Sequence, residues 1–290
     1  MRIRKFFKKI LLCGTVIVGL MGVTSARAAA LNPSFVSTNS QEDDILANVG
    51  WTQNVNQNIP LNLAFTNEQG QTVKLGTYFG SKPVILTLMY YECPMLCGEV
   101  INGTLTGLRG IKFKAGRDYQ YVAVSINPNE GPKLAAEKKK VFLKKHNLID
   151  QANGFHFLTG KEGNIQALAK AVGFRYSYDT KTKSYAHPAG IVILNSKGSI
   201  YQYMGGVIFQ PNNLRLGLVA SSQGEVGSLT DIILLKCCTF DPNTGTYNFA
   251  VHRILAIGGA LTLLCVCSLI FTLRQHEKNR KDSFEEDIKE

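Results

Sequence analysis

The chain has 290 residues, a net charge of +11 and ordinary globular proportions of apolar and charged residues. Its length suits one sizeable domain with appendages, or two small domains. Six of the positive charges (Arg2, Arg4, Lys5, Lys8, Lys9 and Arg27) fall in the first 28 residues, and the remainder carries only +5 without a basic stripe interleaved with aromatics, so nothing marks a nucleic-acid binder.

The N-terminus has the three parts of a secretory signal: a basic stretch, the apolar run Ile10 to Val23, and Ala26-Arg27-Ala28 before Ala29. Cleavage is expected after Ala28, with Ala30 as the second choice and an uncleaved anchor as the alternative. Cys13 lies inside the apolar run and leaves with the signal; Leu12 before it is too large for a lipoprotein processing site. Residues 29–50 read as a polar leader with at most one short helix.

A domain is expected over residues 51–235. Ile59 to Phe65 alternates, Asn67-Glu68-Gln69-Gly70 turns, and Thr72 to Leu75 completes a hairpin. Pro83 to Tyr90 is an unbroken apolar run, the signature of a buried strand. A helix with Ile101, Leu105 and Leu108 on one face follows, then a second buried strand, Tyr119 to Ile126, closed by Asn127-Pro128. A basic amphipathic helix is expected over Lys133 to Lys145, with Leu134, Val141 and Leu148 spaced by sevens and Lys138-Lys139-Lys140 on a wet face. Phe155 to Leu158 is a short strand, and Ile165, Leu168, Ala169 and Val172 give a helical face. Beyond a polar excursion at Asp179-Thr180-Lys181, Ala189 to Leu194 and Ser199 to Tyr203 form a hairpin around Asn195-Ser196-Lys197-Gly198, and Asn212 to Ser221 is the last helix. Strands alternating with helices predict an α/β sheet flanked by helices.

Residues 236–253 form a juxtamembrane segment. Ile254 to Leu273 is a 20-residue apolar stretch without a charge, about 30 Å of helix and enough to span a bilayer. Arg274, Lys278, Arg280 and Lys281 crowd its far side, which places the 274–290 tail in the cytoplasm. The main domain is thus expected outside a bacterial cytoplasmic membrane, tethered by its C-terminus; a buried soluble helix is the alternative.

Cys93 and Cys97, in Tyr91-Glu92-Cys93-Pro94-Met95-Leu96-Cys97-Gly98, fall at a strand-to-helix junction. N–H groups at a helix start favour thiolate, which both attacks disulfides and binds soft metals. Four residues apart on a first turn, the two would face one side and could grip one metal ion or close into one disulfide. Four thiols in an exported domain are too few and too clustered for a disulfide-stapled scaffold. Structural zinc would want four closed ligands, and no second Cys or His pair stands at finger spacing. His187, in Tyr185-Ala186-His187-Pro188, precedes a buried strand and is the natural third ligand; two thiolates and an imidazole suit copper as Cu(I) or Cu(II). Met95 could add a thioether. His146 is expected to be solvated, His156 to face away from the core side of Phe155 and Phe157, and His252 and His276 to lie at the membrane and in the tail. The vicinal pair Cys237-Cys238 could bind metal, pair with another chain or resolve a mixed disulfide, while Cys265 and Cys267 fall in the span as small apolar residues.

Tyr90-Tyr91-Glu92-Cys93-Pro94-Met95-Leu96-Cys97, with Gly80-Ser81-Lys82-Pro83-Val84 before it and Tyr178-Asp179, His187-Pro188-Ala189-Gly190 and Asn212-Asn213-Leu214-Arg215-Leu216 after it, resembles the Sco/SenC family of copper-site assembly proteins. The resemblance runs from about Pro60 to Leu229. It implies a thioredoxin-like fold and a copper metallochaperone serving the binuclear centre of cytochrome c oxidase subunit II, with the family's ligands falling on Cys93, Cys97 and His187. One departure stands out: Asn127 occupies a position where many members carry Asp before Pro. The alternative function is a thiol-disulfide oxidoreductase, with Cys93 attacking and Cys97 resolving. Reductases of this fold typically use Cys-x-x-Cys, so the extra residue leans towards metal. Peroxide reduction is weaker, because Tyr90 rather than Thr stands three residues before Cys93.

Overall fold

The hairpin expected near the start of the domain is present, as β2 (Ala64–Thr66) and β3 (Thr72–Lys74). Asn67 closes its turn by accepting the amides of Gln69 and Gln71 on Oδ1 at 3.1 and 2.8 Å. The computed structural model describes residues 48–93, 97–222, 227–228, 230–231, 235, 238–241, 246–249 and 251–286, all within the unit Gln41–Glu290. The expected signal, its cleavage site, Met95 and Cys237 lie outside the described residues.

A short β1 (Gly50–Trp51) precedes the hairpin. After it come β4 (Val84–Met89), α1 (Cys97–Arg109), β5 (Gln120–Ser125), α2 (Pro132–Lys145), β6 (Phe155–Leu158) and α3 (Glu162–Ala171). Next are β7 (Phe174–Arg175), β8 (Ser177–Asp179), β9 (Ser184–Ala186), β10 (Gly190–Leu194), β11 (Ile200–Gly205) and α4 (Pro211–Ser221). The chain continues through β12 (Cys238–Asp241), β13 (Thr246–Phe249) and α5 (Val251–Glu286).

One five-stranded sheet, in the order β11-β10-β4-β5-β6, organises the domain. β4, β5 and β6 run parallel, and β10 enters antiparallel beside β4. Every residue of β4 and β10 is buried, which is why both read as continuous apolar runs rather than alternating ones. Ile101 and Leu105 of α1 are fully buried in the core these strands share, and removing either side chain to alanine would cost roughly 2–5 kcal/mol. With α2 packed on β6 and α4 on β10, this is the expected thioredoxin-like α/β architecture, a mixed sheet flanked by helices.

Two segments depart from the expected pattern. The polar stretch around Asp179 is itself a hairpin, β8 pairing with β9, because Asp179 caps its own turn by accepting from the Lys181 amide and the Thr182 hydroxyl. In α2 the buried face is not the line of sevens: Val141 is 53% exposed, whereas Ala135 and Leu143 are buried. At 100° per residue, Ala135, Lys139, Phe142, Leu143 and His146 share one arc, and Val141 lies far from it. The polar members of that arc are paired. Lys139 meets Glu68 at 2.9 Å, with the carboxylate 5% exposed, and His146, at 6% exposure rather than solvated, sits 3.0 Å from Asn102 Oδ1.

His156 points to the opposite sheet face from Phe155 and Phe157, as alternation requires. Its ring lies 4.2 Å from that of Tyr78, and Nε2 is 3.0 Å from Gln120 Oε1. Burial lowers its pKa to about 4, with Glu68 opposing and Lys139 assisting. The unfolded chain, with an ordinary imidazole near 6.5, therefore binds this proton more readily than the folded one. The associated stability is present above pH 6.5 and is lost as pH falls through about 4, by roughly 3 kcal/mol in all. Urea melts of the wild type and His156→Phe between pH 7 and pH 4 should show the variant losing less stability over that interval; parallel losses would refute this.

Within α5, Leu255–Gln275 is long and apolar enough to cross a membrane, and no part of that stretch is buried. A helix in a soluble core would bury one face, and the described residues of this stretch bury none. The stretch starts one residue later and ends two residues later than expected.

Candidate functional site

Cys93 emerges directly from the central strand of the sheet. β4 ends at Met89, Tyr90 and Tyr91 remain buried at 7% and 3% exposure, and Cys93, half-buried, packs against the core at the mouth of the next turn. The backbone at Cys93 is not helical, so the one-turn helical spacing expected for the cysteine pair does not place it. Cys97 is the first residue of α1, where the unpaired amides of a helix N-terminus stabilise negative charge. The side chain of Cys97 lies outside the described positions.

His187 reaches the same end of the sheet, for a reason the sequence could not supply. It precedes its strand, and in a parallel strand it would emerge at the opposite end from Cys93. Because β10 is antiparallel to β4, with Val192 opposite Leu86 and Leu194 opposite Val84, each step back from Val192 is a step forward from Leu86. The segment His187–Ala189 thus runs past the end of β4. The His187 ring packs edge-on against Tyr90, with centroids 6.0 Å apart, and lies at a tilt of 34° against Phe174 at 5.7 Å.

The His187 ring is oriented by its own backbone, with Nδ1 3.0 Å from the carbonyl oxygen of Pro188. A carbonyl only accepts, so Nδ1 carries the proton and Nε2 carries the lone pair that can bind a metal. Burial lowers the pKa of His187, with the Pro188 contact opposing, which keeps the imidazole neutral and ligand-competent at neutral pH. Among the described residues no group of three or more Cys, His, Asp or Glu side chains forms a metal cluster.

The turn that carries Cys93 is tied to the segment following β5. Glu130, at 7% exposure, accepts the Tyr91 amide at 2.8 Å on one oxygen and the Glu92 amide at 2.9 Å on the other. The Ser125 hydroxyl donates to the same carboxylate at 2.5 Å. Asn127, by contrast, caps its own turn by accepting the Asn129 amide at 3.0 Å. Asn127 thus serves its own turn, and the buried acid of this segment is Glu130, three residues later. Sequence reading passed over Glu130, because an acid in Asn-Pro-Asn-Glu-Gly-Pro looks like a solvated loop residue. Tyr91 completes the support, its hydroxyl donating to the carbonyls of Leu158 and Ala123 at 2.8 and 3.1 Å. Its pKa is raised well above the ordinary phenol value, first by burial and then by Glu130.

Phe174, which packs on His187, and Tyr185, which packs on Tyr90 at 5.6 Å, also wall a groove of about 870 Å³ with Ile126, Pro128, Tyr176 and Tyr178. Cys238 lines a separate, smaller cavity of about 360 Å³ with Arg215, Asp231 and Tyr247.

Residues 52–213 match the family model described as SCO1/SenC. No curated protein sequence matches the chain. Among solved structures, a candidate electron transfer protein from Aquifex aeolicus VF5 is 19% identical, covering 59% of this chain and 96% of its own, with a TM-score of 0.51. That likeness concerns the fold. Arabidopsis thaliana ScoI with copper bound is 18% identical over 56% of this chain and 96% of its own, at a TM-score of 0.46. BsSco, described as a member of the Sco family of cytochrome c oxidase assembly proteins with a disulfide switch, is 16% identical over 59% of this chain and 98% of its own, at 0.47.

Proposed function

The chain belongs to the SCO1/SenC family, and from that premise we propose that it is a membrane-tethered copper metallochaperone acting in cytochrome c oxidase assembly, with Cys93, Cys97 and His187 as its copper ligands and the binuclear copper site of oxidase subunit II as its target. The observation that carries this reading is the packing of His187 against Tyr90, three residues before Cys93. It brings an oriented imidazole to the end of the sheet from which the first thiol emerges. Two thiolates and one imidazole are a donor set that favours copper, the thiolates being soft enough for Cu(I).

In this reading copper is cargo. Each acceptor thiol that joins the metal displaces one donor, so transfer proceeds by ligand exchange without release of a free ion. α5 serves as the anchor. The basic residues Arg274, Lys278, Arg280 and Lys281 favour a cytoplasmic tail, with the thioredoxin-like domain on the extracytoplasmic side of a bacterial cytoplasmic membrane.

The test is an anaerobic Cu(I) titration of the reduced full-length chain in detergent, paired with oxidase activity in a deletion strain with and without added copper. One equivalent bound tightly, and an oxidase defect corrected by copper, are expected. If no stoichiometric copper bound while a substrate disulfide was still reduced, the thiol-disulfide oxidoreductase would replace the chaperone.

A further inference from the structure

Among the described residues Glu130 is the buried carboxylate at the cysteine turn, and no part in the candidate ligand set has been assigned to it above. Its environment is specific. Two backbone amides, of Tyr91 and Glu92, and one hydroxyl, of Ser125, converge on its two oxygens at 2.5–2.9 Å. Ser125 is fully buried. Among the described residues its carboxylate makes no ion pair, since the three salt bridges there involve Asp118, Glu68 and Asp231. The donors come from the end of β4 and the end of β5, which are adjacent parallel strands. The carboxylate therefore stitches the loop after one strand to the loop after the next, immediately before Cys93.

We infer that Glu130 is the positioning residue of the candidate copper site: it clamps the Tyr91–Glu92 turn so that Cys93 is presented in one geometry, and its charge, bonded to the amide of the residue before Cys93, favours a cation held there over a bare thiolate. The inference rests on the copper reading for its second half, while the clamp stands on the hydrogen bonds alone. Charge-assisted bonds to a carboxylate are roughly twice as strong as neutral ones, and a turn with two of its amides so held loses little entropy when it binds a metal. The charge also sets a preference. An anion beside the site stabilises bound copper and destabilises an unmetallated thiolate nucleophile, which biases the cysteines towards cargo rather than disulfide exchange.

Three variants of the full-length protein in detergent separate these roles. Glu130→Gln keeps the shape and one acceptor but removes the charge, Glu130→Ala removes both, and Glu130→Asp restores the charge on a shorter arm. Hydrogen exchange of the Tyr91 and Glu92 amides should accelerate at least tenfold in Glu130→Ala and less in Glu130→Gln. Cu(I) affinity, by competition with a chromophoric chelator, should fall at least tenfold in both and recover most of the loss in Glu130→Asp. The Cu(II)–thiolate absorption band should shift in Glu130→Ala, because that band reads the geometry of the Cys93 thiolate at the metal, which a residue that only stabilised the fold would leave unchanged. Wild-type exchange in Glu130→Ala would overturn the clamp; wild-type copper affinity in Glu130→Gln would overturn the role of the charge. If Glu130→Ala does not fold, Ser125→Ala, which removes one donor and leaves the carboxylate, decides the clamp by faster exchange of the same two amides or by its absence. If the wild type binds no copper, the proposed function fails, and the exchange measurements still decide the clamp.

Discussion

Cys93→Ser is expected to abolish stoichiometric Cu(I) binding by the full-length chain, and His187→Ala to weaken it by at least about 100-fold. Altering a residue that merely supports a metal ligand costs roughly 10- to 100-fold, so loss of a ligand should cost no less. The two substitutions differ in what survives. With His187 gone, Cys93 and Cys97 can still exchange with a disulfide, whereas Cys93→Ser removes both activities. Because His187 is partly buried among rings, His187→Asn is the control for packing: it retains polar volume and should bind as poorly as His187→Ala while melting closer to the wild type. Chelator competition and thermal melts on the same samples check all three. Wild-type affinity in His187→Ala would remove the histidine from the site.

The largest effect on the fold is expected from Gly103→Ala. A Cβ at Gly103 would stand 1.8 Å from the carbonyl oxygen of Val207, and a Cβ at Gly107 2.5 Å from that of Phe209. These are backbone atoms of the segment between β11 and α4, and they cannot swing aside as a side chain would. Helix α1 is therefore pressed against that segment on a glycine face, and a methyl group there would force the helix off the sheet. Overpacking of side chains costs about 1–3 kcal/mol, and a backbone obstruction belongs at or above the top of that range. A fall in melting temperature of roughly 10 °C is expected for a domain of this size. Gly163→Ala is the matched control, since its Cβ would meet nothing within 4 Å in α3 and should stabilise by helix propensity. Equal melting temperatures for the two variants would contradict the argument. Because α1 begins at Cys97, a displaced helix should also weaken copper binding.

The parts of this fold that were legible in the sequence are those buried on both sides. β4 and β5 announce themselves because no residue in them needs to face water, and the β10–β11 hairpin does so through Asn195, whose Oδ1 accepts the amides of Lys197 and Ser199 at 3.0 and 2.9 Å. What stayed hidden shares one cause: polar groups whose partners lie far away in the chain. The buried arc of α2 includes Lys139 and His146, which look like solvent residues until Glu68 and Asn102 are brought beside them. Glu130 looks equally unremarkable without the two amides it holds. His187 could be named as a candidate from its place before a buried strand, but its meeting with the end of β4 depended on strand direction, which periodicity does not encode. The β8–β9 hairpin, a surface ladder with Tyr178 exposed, offered only a short alternation of tyrosines with polar residues, Tyr176-Ser177-Tyr178-Asp179, to reveal it.

The antiparallel entry of β10 also bears on when the proposed site can exist. Cys93 and Cys97 lie within one local β-to-α unit, but His187 stands 94 positions beyond Cys93 and arrives only when β10 docks beside β4. Such non-local pairings are late and slow steps in folding. A nascent or partly unfolded chain would then offer two thiols but no preset imidazole, and would hold an ion weakly. Binding to the native form alone stabilises it by mass action, by about 2.7 kcal/mol when the free ion is at 100 times its dissociation constant. The fold in this way acts as its own quality check: loading would be confined to molecules that have finished folding, and once loaded they would be slower to come apart.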